Sequence, residues 1–254
     1  MNVIILAAGF FEDLKPMSLT RPGSLLPVGG KPILEWFLEY ALPVENGGVS
    51  TLTVVTNALY ANQFQMWANR CPLFSEGLWK VQIVSNGATD ISENRGAVHD
   101  LHLGIRSFHD SKDCLVLGGD NFIFKKLDGF IEWARDLRSA AVVACDIGSM
   151  DRVRDLSSVQ INPAHQITSF EEKPLHPKST VSAALIYYLP SRILPMIGQF
   201  LNEGRNPDRP GRFIEWLTHH PEPVYGWVHD GAWYDISNPQ TLEEVNRILN
   251  QSSN

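Results

Sequence analysis

Asp120 and Lys173 occupy positions at which a charged side chain can do chemistry. Leu117-Gly118-Gly119-Asp120-Asn121 ends a short apolar run on an aspartate. The carboxyl ends of strands are where open α/β sheets bind ligands, and a carboxylate there is costly unless something pairs with it. A divalent ion shared between Asp120 and a phosphate meets that need, because Mg2+ takes one or two carboxylates together with phosphate oxygens. Phe170-Glu171-Glu172-Lys173-Pro174 sets Lys173 between a strand and a proline, which holds it at a strand end. Near the N-terminus, the apolar run Val3 to Leu6 leads directly into Ala7-Ala8-Gly9. Small residues after a strand let backbone N–H groups approach an anion closely. Gly96-Ala97, opening a helix, allows the same close approach to a base or a phosphate. Taken singly, each stretch also reads as an ordinary turn. Ser24 has no histidine or aspartate in a triad-like context, so it is not a candidate nucleophile.

These residues need a frame, and hydrophobic periodicity supplies one. Short runs rich in apolar and β-branched residues predict strands over 3–6, 51–56, 79–84, 114–117 and 140–145. Helical spacing predicts helices over 32–42, opened by Lys31-Pro32, and over 58–69, 96–108 and 127–137. Alternation of this kind predicts an α/β fold: a Rossmann-like, three-layer arrangement with a mostly parallel central sheet. After Asp146 the pattern turns strand-rich, with strands over 158–161, 166–171 and 181–189. Helices over 191–202 and 211–219, strands over 224–228 and 233–236, and a helix over 239–249 complete the prediction. No internal repeat or linker is visible, so one domain over 1–254 is expected.

Composition narrows the classes of function. The chain has 254 residues, enough for a large α/β core, and is 44% hydrophobic. No apolar run is long enough to span a membrane, and no basic segment precedes a signal-like core. The formal net charge of −7 argues against a nucleic-acid partner. Cys71, Cys114 and Cys145 lack metal-ligand or disulfide spacing, so they are expected as buried thiols in a reducing, cytoplasmic setting. The eight histidines show no metal triad.

The first thirty residues carry something more specific. Leu6-Ala7-Ala8-Gly9, Leu14, Pro16, Pro22, Leu25-Leu26-Pro27-Val28 and Gly30-Lys31-Pro32 fall without a gap on the pattern L-A-A-G-x-G-T-R-L-x-P-L-T-x-x-x-P-K-x-L-L-P-V-x-G-K-P. This resembles the signature of the sugar-1-phosphate nucleotidylyltransferases, the family of glucose-1-phosphate thymidylyltransferase. Trp233-Tyr234-Asp235-Ile236 resembles the family's W-x-D-I-G-T-P, with Ser237-Asn238-Pro239 as its tail. The resemblance reaches nearly the whole chain and stops where other members add a left-handed β-helix.

The resemblance implies a nucleotidyltransferase fold and transfer of a nucleoside monophosphate from a nucleoside triphosphate to a phosphorylated acceptor, releasing pyrophosphate. It implies that Asp120 and Asp235 bracket one Mg2+ and, with Lys173, make up the catalytic set. Leu6, Ala7, Ala8, Gly9 and Asp120 would hold the nucleotide. Asn86, Gly87 and Gly96 would lie at the base, and Glu172, Lys173 and Tyr187 at the acceptor. Two departures fall at reactive positions. Phe11-Glu12-Asp13 stands where the family has Gly-Thr-Arg, and Gly23 stands where it has the lysine of Pro-Lys; both absent cations steady the triphosphate there. Three readings stay open: an active enzyme with a rebuilt cation set drawn from Lys15, Arg21, Lys31 or Arg95; a nucleotide- or nucleotide-sugar-binding regulatory relative; and an interaction subunit with a vestigial pocket. The base, the acceptor and any homo-oligomer are also left open.

Overall fold

A computed structural model describes residues 1–42, 48–75 and 79–252. Seven strands form its central sheet: β1 (Asn2–Ala7), β2 (Thr51–Thr56), β3 (Lys80–Ser85), β4 (Cys114–Gly118), β5 (Ala140–Asp146), β6 (Val181–Leu189) and β7 (Val224–His229). Their order is β7-β5-β6-β4-β1-β2-β3. All neighbours are parallel except β6, which runs antiparallel to both β4 and β5. The expected Rossmann-like, mostly parallel sheet is therefore present.

The alternation of side chains along β1 explains the layers. Val3, Ile5 and Ala7 feed one buried cluster, and Ile4 and Leu6 feed the other. Helices α1 (Ile33–Ala41), α2 (Ala61–Ala68), α4 (Asp128–Leu137) and α7 (Pro239–Ser252) cover the first face. Helices α3 (Ala97–Arg106), α5 (Leu194–Asn202) and α6 (Pro210–Leu217) cover the second. Because β1 is buried on both sides, truncating Ile4 or Ile5 to alanine would cost about 2–5 kcal/mol. That rigidity fixes the loops at the carboxyl ends of the strands.

Several predicted boundaries move for local reasons. Lys31-Pro32 does not open a helix; it pairs as a two-residue strand with Pro27–Val28, and α1 begins at Ile33. Helix α2 begins at Ala61 because Asn57 first closes a turn by accepting from the Tyr60 N–H. Helix α5 begins at Leu194, after a turn in which the Ile193 N–H donates to Pro190 O. The short strand Asn121–Ile123 is absent from the sequence-based prediction. It pairs antiparallel with Trp233–Asp235, setting Asp235 opposite Asn121. A separate antiparallel ribbon, Ser157–Ile161 with Ile167–Glu172, carries the Glu172-Lys173 segment.

Candidate active site

Asp120 lies two residues past the end of β4, after Gly119, and the Asn121–Ile123 ribbon brings Asp235 to it from 115 residues away. The Ile236 N–H donates to Asp120 O at 2.8 Å, tying the two segments together beside both carboxylates. Asn121 locks the junction. Its buried Oδ1 accepts from Trp233 Nε1 at 2.8 Å and from the Leu185 N–H at 3.0 Å, and its Nδ2 donates to Asp120 Oδ1 at 2.9 Å. Neither aspartate forms an ion pair among the described residues. Burial raises the Asp120 carboxyl above its ordinary range. Burial, and then the negative charge of Asp120, push Asp235 up to about 7. Two close carboxylates without a cation resist ionising together.

The same cleft, of ≈ 140 Å³, is lined by Asp120, Asp235, Glu172, Tyr187 and Arg209. Glu172 rests against the first turn of α6: a Cβ added to Gly211 would lie 1.9 Å from its Oε2. Burial pushes Glu172 up to about 7, although the charges of Arg209 and Arg212 pull the other way. Tyr187 is buried on β6, and burial together with the Glu172 charge raises its phenol well above 10. Lys173 is exposed at the rim with φ 49°, its N–H bound to Leu156 O at 2.7 Å. Its charge is felt at both Glu172 and Asp235. Arg209, half-buried immediately before α6, is a site residue that sequence reasoning missed. It acts on the same two carboxylates and has no ion-pair partner among the described residues. Only the Arg-Pro step at a helix start hinted at it, and its partners lie far off in sequence.

Leu6, Ala7 and Ala8 are buried at the end of β1, and Gly9 is exposed. Asn57 Nδ2 donates to Ala8 O at 3.1 Å, and the Gly119 N–H donates to Leu6 O at 2.9 Å, so this loop is pinned to the ends of β2 and β4. The cations near it in sequence are largely engaged elsewhere. Lys15 pairs with exposed Glu12, and Lys31 pairs with Glu39 while lying 3.7 Å over the Trp36 ring. Arg95 lines a different hollow, with His99, His102 and Arg106 of α3. Gly23 does not have positive φ; its neighbour is the Phe11 ring, which comes within 2.6 Å of a Cβ placed there.

The expected base-side residues are largely occupied by the protein itself. Asn86 donates to Asp100 Oδ1 at 2.8 Å and accepts from the Ala88 N–H at 3.0 Å. Gly87 is exposed at φ 86°. Gly96, at φ 94°, admits the backbone of Pro207, whose oxygen lies 2.5 Å from where a Cβ would stand. The first N–H groups of α3 donate to Asp208 O and Pro207 O, so that helix start is already capped.

Comparison with known proteins bears on the family and the fold. The family described as Nucleotidyl transferase matches residues 2–252. A glucose-1-phosphate thymidylyltransferase of Streptomyces griseus is 24% identical over 98% of this chain and 66% of its own length. The bifunctional protein GlmU of Methanocaldococcus jannaschii is 24% identical over 98% of this chain and 54% of its own. The chain thus spans between about half and two thirds of these relatives. An apo UDP-glucose pyrophosphorylase superposes with a TM-score of 0.82 at 14% identity, covering 100% of this chain and 99% of that one. A UDP-glucose pyrophosphorylase complexed with UDP-glucose gives 0.79 at 15% identity, covering 99% and 98%.

Proposed function

Because the chain belongs to the nucleotidyl transferase family, we propose that it transfers a nucleoside monophosphate from a nucleoside triphosphate to a phosphorylated acceptor, with release of pyrophosphate. The observation that carries this reading is the meeting of Asp120 and Asp235 at the end of β4, beside Arg209 and Lys173. A cleft holding two mutually repelling carboxylates and Glu172 would repel phosphates unless a cation entered. The donor set fits Mg2+, a hard ion that takes carboxylate and phosphate oxygens. Asp120 and Asp235 would hold it, and it would supply charge neutralisation at the phosphates.

The remaining work falls to the chain's own residues. Arg209 and Lys173 bind the acceptor phosphate and orient its oxygen for in-line attack on the α-phosphorus. Glu172, near neutral, exchanges hydrogen bonds with an acceptor hydroxyl, and Tyr187 bounds that pocket. The Leu6–Gly9 backbone seats the triphosphate, with Asn86, Gly87 and Gly96 on the base side. Catalysis of this kind is positioning and charge stabilisation. Glucose-1-phosphate is the acceptor class that the relatives' names suggest. The three unpaired, buried cysteines suit a reducing cytoplasm, and no helix among the described residues is long and apolar enough to cross a membrane.

One observation favours a second reading. Asp13 and Gly23 leave the loop without two cations, and the Phe11 ring packs there instead, which suits a nucleotide-binding regulatory relative. Binding and turnover separate the two. Mg2+-dependent binding of a triphosphate with pyrophosphate release supports transfer; the same binding with no release on any phosphorylated acceptor supports the regulatory reading.

A further inference from the structure

The loop after β1 contains a bulky side chain in a conformation that L-residues with large side chains seldom adopt. Phe11 has φ 50° and ψ 49°, a left-handed geometry that is an outlier for such a residue. Its backbone is held there: Phe11 O accepts from the Leu14 N–H at 3.0 Å and from Ser18 Oγ at 2.8 Å. The ring fills the crevice between two segments. Its atoms lie 3.5 Å from a Cβ placed on Gly9 and 2.6–2.8 Å from one placed on Gly23.

Polar groups on the two segments that flank the ring lack partners. Ser24 is fully buried and its Oγ has no hydrogen-bond partner. That oxygen lies 2.7 Å from where a Cβ on Gly119 would stand, one residue before Asp120. Among the described residues, the N–H groups of Gly9 and Phe10 also donate to nothing in the protein. A buried hydroxyl without a partner carries a desolvation cost that a ligand acceptor would remove. Two N–H donors beside Gly9 and a hydroxyl on the residue after Gly23 suit phosphate oxygens, and the phenyl ring packs against both glycines.

We propose that the Phe11 ring is a movable plug over a phosphate subsite whose ligand hydroxyl is Ser24. The inference rests on the reading that this loop seats a triphosphate, and it adds a residue and a gate to it. The backbone stays fixed and the ring rotates out. A site open for only a fraction of the time binds more weakly by that fraction. The plug therefore sets triphosphate affinity and keeps the empty loop closed.

The test uses inorganic tripolyphosphate with Mg2+, and dTTP, GTP and UTP in parallel, by isothermal titration calorimetry. Phe11→Gly suits the left-handed backbone and removes the ring, so tripolyphosphate binding should tighten about tenfold or more. Phe11→Tyr keeps a ring of the same width and should not show the gain. Ser24→Ala should weaken binding about tenfold or more, in the parent and in the Phe11→Gly background. Melting curves confirm that each variant is folded. Nucleotide binding that Phe11→Gly leaves unchanged or weakens overturns the plug alone, and binding indifferent to Ser24→Ala overturns the hydroxyl's role. Failure of every protein to bind tripolyphosphate or any nucleotide overturns the plug and the transferase reading together.

Discussion

Asp120 and Asp235 are each unremarkable alone; their proximity gives them a job. With both raised by burial, and Asp235 further by its neighbour's charge, a divalent ion held there would bind by displacing protons. A ligand at a hundred times its dissociation constant stabilises the fold by about 2.7 kcal/mol. Thermal melts at neutral pH should therefore rise when Mg2+ and nucleotide are added together. Asp120→Asn and Asp235→Asn should remove the Mg2+-dependent part of that rise while leaving the folded far-UV spectrum intact; an undiminished rise in both variants contradicts the metal assignment. Arg209→Ala should raise the acceptor's KM about 10- to 100-fold, the loss of a charged hydrogen bond, with less effect on triphosphate binding. An unchanged acceptor KM contradicts its role.

Glu172 adds a pH signature. Its carboxyl is raised from 4.5 to about 7 by burial, so the folded state binds a proton that the unfolded state has released. Stability then falls as pH rises between those values and levels off above the upper one. The span sets a ceiling of about 3 kcal/mol. Glu172→Gln removes that slope, and should match the parent near pH 4 and exceed it in denaturant midpoint near pH 8. Parallel stability profiles for the two proteins contradict the burial of this carboxyl.

At the scale of elements, local signals were legible and pairings across the chain were not. The runs at 51–56, 114–117 and 181–189 announce strands because they are mostly apolar, β-branched or aromatic, and the structure places strands there. The Asn121–Ile123 ribbon was hidden because its partner is Trp233–Asp235. Asp120 and Lys173 could be noticed as strand-end charges; Asp235 needed a motif, and Arg209 needed the fold. The loop after β1 teaches the same lesson. The obstacle to a side chain at position 23 is the Phe11 ring rather than the backbone of Gly23. Restoring two cations as Asp13→Arg with Gly23→Lys should consequently lower the melting temperature, since overpacking typically costs about 1–3 kcal/mol. Adding Phe11→Gly should recover it. If Asp13→Arg with Gly23→Lys melts as the parent does, the packing of ring against glycine is not what the geometry says.

The whole molecule combines a rigid sheet with a chemically sparse cleft. Its buried thiols are inert packing groups: burial pushes Cys71 and Cys145 up to about 12. Composition and alternation were enough to indicate the doubly covered sheet, because both follow from where apolar residues must go. Whether the cleft turns over depends on whether a metal ion at Asp120 and Asp235, with the Leu6–Gly9 backbone, offsets the charges absent at positions 13 and 23. The most direct measurement is pyrophosphate release from dTTP, GTP, UTP, ATP and CTP, each paired with a panel of hexose-1-phosphates in the presence of Mg2+. The account predicts release from at least one pair, dependent on Mg2+ and lost in Asp120→Asn. Mg2+-dependent nucleotide binding with no pyrophosphate from any pair would contradict it.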